Sequence, residues 1–279
     1  MPSLLIVGGL TVDRFPDGSR AAGGSVLHAG LAAAAEGADL TFLTVAGTEP
    51  EAADGLRGLE RFGRVIAQPS AATTTYRHSE SDGHRVLVYE SASGPIDVGA
   101  LQGLGPFEVV LVAPIADELP PPAVTRIREA TGARLTVLLI QGWLRELRLG
   151  RPAAARRLDD LPAGAWTELG TADAIVVSTE DFDGEPADPF AQAASLRRRI
   201  GPGPILVLTL ATEGYLLDDP AADRVVASVP RTIVDGVPAV GAGDTFGAAL
   251  AIHLARGDAP SVAAEAATER VIAVLEARR

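Results

Sequence analysis

Gly241-Ala-Gly-Asp-Thr-Phe246 is followed at once by the apolar, small-residue run Gly247-Ala-Ala-Leu-Ala-Ile-His-Leu254. Small residues let a backbone approach a ligand closely, and the run behind them has the composition of a helix. The first N–H groups of a helix lack intrahelical partners and the macrodipole favours negative charge there, so this turn can hold a phosphoryl group in flight. Asp244 stands at its mouth. A carboxylate there can accept a proton from an alcohol while the Gly241–Gly243 turn, through the N–H groups of Ala242, Gly243 and Asp244, stabilises charge building on the transferred oxygens. By spacing alone a glycine turn with Asp as helix N-cap is the better account of the run.

Other residues supply the groups such chemistry needs. Asp13 lies just beyond the apolar segment Leu4–Gly8, where open α/β sheets bind ligands, and its carboxylate can accept two hydroxyl hydrogen bonds from a polyol; taken alone, Asp13-Arg14 also reads as a turn. Gly23 and Gly24 precede a helix that Ser25 can cap, and their lack of side chains suits backbone contact with a ligand. Gln141-Gly-Trp-Leu-Arg145 follows a buried-type strand and so sits at a strand's C-terminal end. Gln141 can hydrogen-bond a hydroxyl there, and Arg145 can bind substrate or neutralise a phosphate; the other reading is a helix N-terminal turn with an exposed Arg. Arg197-Arg198-Arg199 reads as cations favoured at a helix C-terminus.

The elements that position these residues alternate between short β-rich runs and alanine-rich helical stretches, which is the mark of a parallel sheet covered on both faces. Strands are expected at Leu4–Gly8, Leu40–Val45, Val109–Ala113, Leu135–Ile140, Ala174–Val177 and Ile205–Leu210. Helices are expected at Val26–Glu36, Glu51–Phe62, Ala123–Thr131 and Pro189–Arg199, and near the end at Asp244–Arg256, stopped by Gly257, with a last helix started by Asp258 and Pro260. One stretch breaks the rhythm. Thr73 to Val88 alternates, turns at Ser81-Asp82-Gly83 and resumes, which is a hairpin signal. With no helix to cover it, the hairpin is expected to project as a small β lid, with residues 11–20 and 73–91 forming it within a single domain spanning 1–279.

Composition narrows the class of protein. Hydrophobic residues make up 47% and aromatics 4%, so Ala, Val, Leu and Ile must build the core. The 36 acidic against 24 basic residues give a net charge of −12, which disfavours nucleic acid as a partner. The absence of cysteine excludes disulfides, thiolate zinc sites and a cysteine nucleophile, and four scattered histidines argue against a catalytic metal cage. The N-terminus lacks a basic n-region and no apolar stretch approaches the roughly 20 residues a bilayer requires, so a cytoplasmic protein without membrane contact is expected.

In their order along nearly the whole chain, these motifs resemble those of the ribokinase (phosphofructokinase-B) family. The carriers are Gly-Ala-Gly-Asp-Thr-Phe246, Val7-Gly-Gly-Leu-Thr-Val-Asp13, Gly23-Gly24 and Gly37-Ala-Asp-Leu-Thr-Phe-Leu-Thr-Val-Ala-Gly47. The resemblance implies a ribokinase-like doubly wound, mainly parallel sheet with helices on both faces and a β lid. It implies an ATP-dependent kinase that transfers the γ-phosphoryl group to a hydroxyl of a sugar, a cyclitol such as myo-inositol, or a nucleoside, with Mg²⁺ bridging the donor phosphates.

Residue by residue, the resemblance gives Asp13, Gly23 and Gly24 the substrate hydroxyls, and His28 stands where many members have an Asn that contacts sugar. Gln141–Arg145 looks like a segment of inositol-kinase-like members. Thr209-Leu-Ala-Thr-Glu-Gly214 resembles the turn that lies against the nucleotide, so Thr209, Glu213 and Gly214 are expected to bind it together with Ser178. Ala211 replaces the turn's middle glycine, a change tolerated where no positive φ is required. Ser178-Thr-Glu-Asp181 takes the place of Asn-x-x-Glu, so the resemblance gives Asp181 the role of holding Mg²⁺ through water; read alone, the segment is a polar cap after the strand Ala174–Val177. Pro238-Ala-Val240 replaces the family's Asp-Thr, which argues against a monovalent-cation site built on that Asp. The lid implies closure over substrate and a homodimer contact, with Arg77, Arg85 and Tyr89 as its candidates for touching ligand.

The alternative from another class is a catalytically silent ligand-binding or regulatory protein on the same scaffold, motivated by Pro238, Ala211 and Ser178. A nicotinamide-dependent dehydrogenase is disfavoured, because Val7-Gly-Gly-Leu-Thr-Val does not supply the glycine fingerprint.

Overall fold

The structure, a computed structural model, describes all residues except 82–83, 183–187 and 223. The first eight strands are β1 (Ser3–Gly8), β2 (Thr11–Arg14), β3 (Arg20–Gly23), β4 (Asp39–Ala46), β5 (Gly63–Pro69), β6 (Thr74–Ser81), β7 (His84–Ser91) and β8 (Val109–Ala113). They are followed by β9 (Leu135–Leu139), β10 (Arg145–Glu146), β11 (Arg151–Pro152), β12 (Ala154–Ala155), β13 (Ala174–Ser178), β14 (Ile205–Thr209), β15 (Tyr215–Asp219) and β16 (Arg224–Ser228). The helices are α1 (Ser25–Ala35), α2 (Pro50–Glu60), α3 (Ala123–Thr131), α4 (Ala165–Thr171), α5 (Pro189–Ile200), α6 (Ala242–Arg256) and α7 (Pro260–Glu276).

The main sheet has nine strands in the order β16-β15-β14-β13-β9-β8-β1-β4-β5. Seven run parallel, and β15 and β16 are antiparallel at one edge. Successive side chains of a strand point to opposite faces, and β1 shows the consequence. Leu4 and Ile6 enter one core with Ala29 and Ala33 of α1 and Ala248 to Ile252 of α6, while Leu5 and Val7 enter the other with Val124 and Ile127 of α3 and Leu196 of α5. Both faces are therefore covered, and the strands read as nearly continuous apolar runs. Full burial of each Leu or Ile contributes roughly 1.5–3 kcal/mol, which makes β1 and α6 rigid supports for whatever lies at their ends.

The second sheet, in the order β11-β7-β6-β2-β3, is the expected lid, larger than a hairpin. β2 pairs parallel to β6 and antiparallel to β3, so the residues after β1 are tied directly to the hairpin β6–β7. The hairpin's Asp82-Gly83 turn lies outside the described residues, as does the side chain of Arg85.

Several boundaries differ from the sequence reading, each for a local reason. Helix α6 starts at Ala242 with Gly241 as its cap in the left-handed conformation, so Asp244 belongs to the first turn and is not the N-cap. Gly24, at φ 93, caps α1, and Ser25 is already helical. Strand β5 is an edge strand with no fully buried residue, its positions being intermediate or exposed, so Gly63–Pro69 carries little apolar alternation to betray it.

Candidate active site

A cleft of about 790 Å³ opens between the C-terminal ends of the central strands, the lid and the start of α6. Asp13, Gly24, His28, Gln141, Arg145, Ser178, Asp181, Thr209, Gly214 and the segment Gly241–Asp244 all line it, although they come from six separate stretches of the chain. Two expected residues do not. Glu213 lies outside the lining, and Gly23 packs behind Asp13, where a Cβ would overlap the Asp13 carboxylate. Gly23 thus makes room for the acid, while Gly24, whose missing Cβ would overlap the Gly9 carbonyl, faces the cleft itself.

At the cleft floor, Gly241 takes φ 77 and its α-carbon abuts the His28 ring, leaving no space for a side chain. The turn that follows is only partly as expected. The Ala242 N–H donates to the Ala239 carbonyl at 3.1 Å, so it is already committed. Among the described residues, the N–H groups of Gly243 and Asp244 have no protein acceptor, and a side chain on Gly243 would meet nothing within 4 Å. Two donors and open space at a helix N-terminus make an anion site. The Asp244 carboxylate keeps some exposed surface yet lies at the bottom of the cleft. Loss of solvent pushes its pKa up, opposed by His28, by the Ser25 side chain and by Arg145. A base with such a raised pKa binds a proton more readily than an ordinary aspartate.

Across the cleft, Asp13 is buried on β2 and accepts the Thr11 hydroxyl on Oδ1 at 3.2 Å. Tyr76 and His78 face it from β6, where alternation sends Arg77 outward to an ion pair with Glu90 at 2.8 Å. Arg77 is therefore a surface residue, and Tyr89 is buried against Tyr76, with ring centroids 5.6 Å apart, without lining the cleft. Sequence reading chose the wrong side of the strand. The signal was present, since Tyr76 and His78 share a parity opposite to that of Arg77. The Tyr76 hydroxyl donates to the Ile115 carbonyl at 3.0 Å, and Glu118 fixes that turn by accepting the N–H groups of Ile115 and Ala116, each at 2.8 Å. Burial raises the pKa of Glu118 while these backbone N–H groups oppose the shift.

Gln141 and Arg145 follow β9 in a turn, with Arg145 opening the short strand β10. The Arg145 guanidinium carbon lies 5.9 Å from the centroid of the Tyr76 ring, and the group forms no ion pair among the described residues. Its charge acts on both Asp181 and Asp244.

Asp181 is buried, and its Oδ2 accepts the Ser178 N–H at 3.3 Å while the Ser178 hydroxyl accepts the Glu180 N–H at 3.2 Å. Burial raises its pKa, and Arg145, Ser178 and Gln141 oppose the shift. Among the described residues no three His, Asp or Glu side chains could together hold a metal ion. Asp181 lines the cleft as a single carboxylate that could reach a metal ion through water, and its Oδ2 and the Ser178 hydroxyl otherwise form a capping box at the end of β13. Ala211 departs from expectation in another way. Its φ is +50, so the position does take the left-handed conformation, and among the described residues no other non-glycine residue does so.

One part of the lining is largely apolar: Pro230, Ile233, Val234, Val237 and Val240 of the loop before the Gly241 turn and Val271, Ile272 and Leu275 of α7 line a slot, with Thr232, Asp235 and Thr268 as its polar members. Ile233 is 51% exposed, leaving an apolar surface for a flat ring to cover. This slot was not foreseen, because the loop 230–240 has no periodicity and its meaning depends on α7. Among the described residues no helix is long and apolar enough to cross a membrane.

No family model matches the chain, and no curated protein matches it. Solved structures do. A pyrophosphate-dependent kinase in the ribokinase family, complexed with a pyrophosphate analog and myo-inositol, aligns with a TM-score of 0.77 at 19% identity, covering 95% of this chain and 92% of that one. Ribokinase from Arabidopsis thaliana, complexed with ribose and ATP, gives 0.71 at 17% identity over 99% of both chains. Fructokinase from Vibrio cholerae gives 0.72 at 17% identity over the full length of both. At such identities the likeness establishes architecture.

Proposed function

We propose that this chain, whose fold is ribokinase-like, is a phosphotransferase that moves the γ-phosphoryl group of ATP to a hydroxyl of a sugar, cyclitol or nucleoside. The observation that carries this reading is the placement of the Asp244 carboxylate beside the free N–H groups of Gly243 and Asp244, facing Asp13 across one cleft. A base and an anion site at one point, with a hydroxyl-binding carboxylate opposite, is the arrangement that in-line transfer to an alcohol requires.

In this reading Asp13 and Gly24 hold the acceptor so that one hydroxyl points at Asp244. Asp244 takes that hydroxyl's proton as the oxygen attacks phosphorus. The N–H groups of Gly243 and Asp244 stabilise the charge on the equatorial oxygens, and Arg145 adds a full positive charge on the same side. Tyr76, latched to Ile115, keeps the lid over the reacting atoms and excludes water that would otherwise take the phosphoryl group. Mg²⁺ bound to the donor phosphates would neutralise part of their charge, with Asp181 holding it through water.

The apolar slot between 230–240 and α7 favours a nucleoside triphosphate over pyrophosphate as donor, since a bare pyrophosphate leaves Ile233 and Val271 uncovered. Thr209, Ser178 and Gly214 line the path between the slot and the Gly241 turn. The experiment is a product assay with ATP or pyrophosphate as donor and a panel of sugars, cyclitols and nucleosides as acceptors. Phosphorylated acceptor formed with ATP supports the reading. ATP binding without transfer to any acceptor would favour the silent ligand-binding protein instead.

A further inference from the structure

His78 is 7% exposed, and its Nε2 has no hydrogen-bond partner among the described residues. It lies 3.5 Å from Oδ1 of Asp13 without completing a hydrogen bond, and its ring stacks on Phe15 at a centroid separation of 4.7 Å. A buried polar nitrogen left unpaired costs roughly 1–3 kcal/mol, so a native chain retains one where a ligand satisfies it. His78 lines the cleft on the lid's inner surface beside Tyr76, with its Nε2 shielded from solvent next to Asp13. Asp13 accepts the Thr11 hydroxyl on Oδ1, and its Oδ2 lies beside Gly23, which has no side chain to offer it a donor.

Charge sets the class of molecule that fits. Arg145 is the sole Arg or Lys among the described residues lining the cleft, against carboxylates of Asp13, Glu180, Asp181, Asp235 and Asp244. Arg145 acts on Asp181 and Asp244, so this one guanidinium serves the transferred group, and a phosphate on the acceptor would find no cation of its own among the described lining residues. An acceptor carrying its own phosphate would set that charge against the Asp13 carboxylate.

We propose that His78 is a specificity-determining residue: its Nε2 and the Asp13 carboxylate bind two hydroxyls on adjacent carbons of an uncharged polyol. Asp13 accepts from one hydroxyl, and His78 Nε2 bonds the oxygen of its neighbour. The lid thereby contributes directly to acceptor choice, and its closure completes the pair. This inference rests on the phosphotransferase reading and names the acceptor class for it.

The test compares unphosphorylated hexoses and cyclitols with their monodeoxy analogues and monophosphates, in the wild type and in His78→Phe, which keeps the stack on Phe15 but removes the nitrogen. For the best acceptor, the wild type is expected to favour the polyol over the analogue lacking one hydroxyl of the pair by at least about tenfold in kcat/KM, and over its monophosphate by more. In His78→Phe the deoxy discrimination is expected to fall to within about threefold, and His78→Asn gives the same loss should the Phe variant not fold. Discrimination unchanged in the variants, or a wild-type preference for the monophosphate, overturns the proposal. If the wild type transfers phosphate to nothing, the phosphotransferase reading fails separately. Calorimetry with the same panel then decides: polyol binding weakened about tenfold by either variant sustains the His78–Asp13 pair, whereas equal binding, or none in the wild type, overturns it.

Discussion

The His28 imidazole lies against the α-carbon of Gly241, in the space that a side chain would fill. One residue comes from α1 and the other caps α6, so this contact sets how closely the start of α1 approaches the turn at the start of α6. It also explains why Gly241 is needed twice over, for its φ of 77 and for the absence of a Cβ.

Gly241→Ala is expected to lower kcat/KM by about 100-fold, because moving the turn by even an ångström misplaces both N–H donors and Asp244. Steady-state rates on the folded variant check this. Activity within a few-fold of wild type would mean that the turn relaxes around the added methyl and that its spacing to His28 is not critical.

Arg145→Gln is expected to move the acid limb of the kcat/KM profile to higher pH. Asp244 must be ionised to take the hydroxyl proton, and burial already raises its pKa above the usual aspartate range while Arg145 holds it down. Removing the guanidinium removes one opposing charge, so protonation sets in earlier as pH falls. A pH–rate profile on both proteins reads this directly, and an acid limb that stays in place would detach Arg145 from Asp244.

Ala211→Gly is expected to stabilise the fold by about 0.5–1 kcal/mol. An L-residue at φ +50 costs about 1–2 kcal/mol, and part of that gain is returned as added freedom of the unfolded chain. Urea unfolding measures it. Destabilisation would mean that the alanine methyl makes contacts worth more than the strain.

Arg278→Ala is expected to raise the donor KM several-fold to about tenfold while leaving the acceptor KM alone. The Arg278 guanidinium donates from one nitrogen to the carbonyls of Pro238 and Val240, each at 2.9 Å, tying the end of α7 to the loop that leads into Gly241. A hydrogen bond to a charged group is worth about 1.5–3 kcal/mol, enough to set that loop, and Arg278→Lys is expected to recover part of the loss. A parallel rise in both KM values would indicate a general loss of structure.

The parts legible in the sequence were those that local pattern encodes. The runs at Leu4–Gly8 and Val109–Ala113 announce buried parallel strands by composition alone, and Gly241 to Gly243 announce a tight turn before a helix by residue type. What escaped depends on partners far along the chain. The Ala242 N–H is taken by Ala239 because the loop before α6 folds back on it, which no spacing reveals. Arg77 looked like a ligand-binding residue until its outward parity and Glu90 were visible, and His78, the next residue, gained meaning only when β2 brought Asp13 beside it. The apolar slot needs α7 to close it, and the left-handed Ala211 contradicts the propensity of its own side chain.

The most direct measurement is the single-turnover rate of phosphoryl transfer in Asp244→Asn with saturating ATP and the best acceptor. Asparagine keeps the size of the side chain and the helix start, so the variant is expected to fold and bind ATP. Loss of its proton acceptor is expected to slow transfer by roughly 100-fold or more. Transfer at close to the wild-type rate would contradict the assignment of Asp244 as the base, and with it the mechanism built around the Gly241 turn.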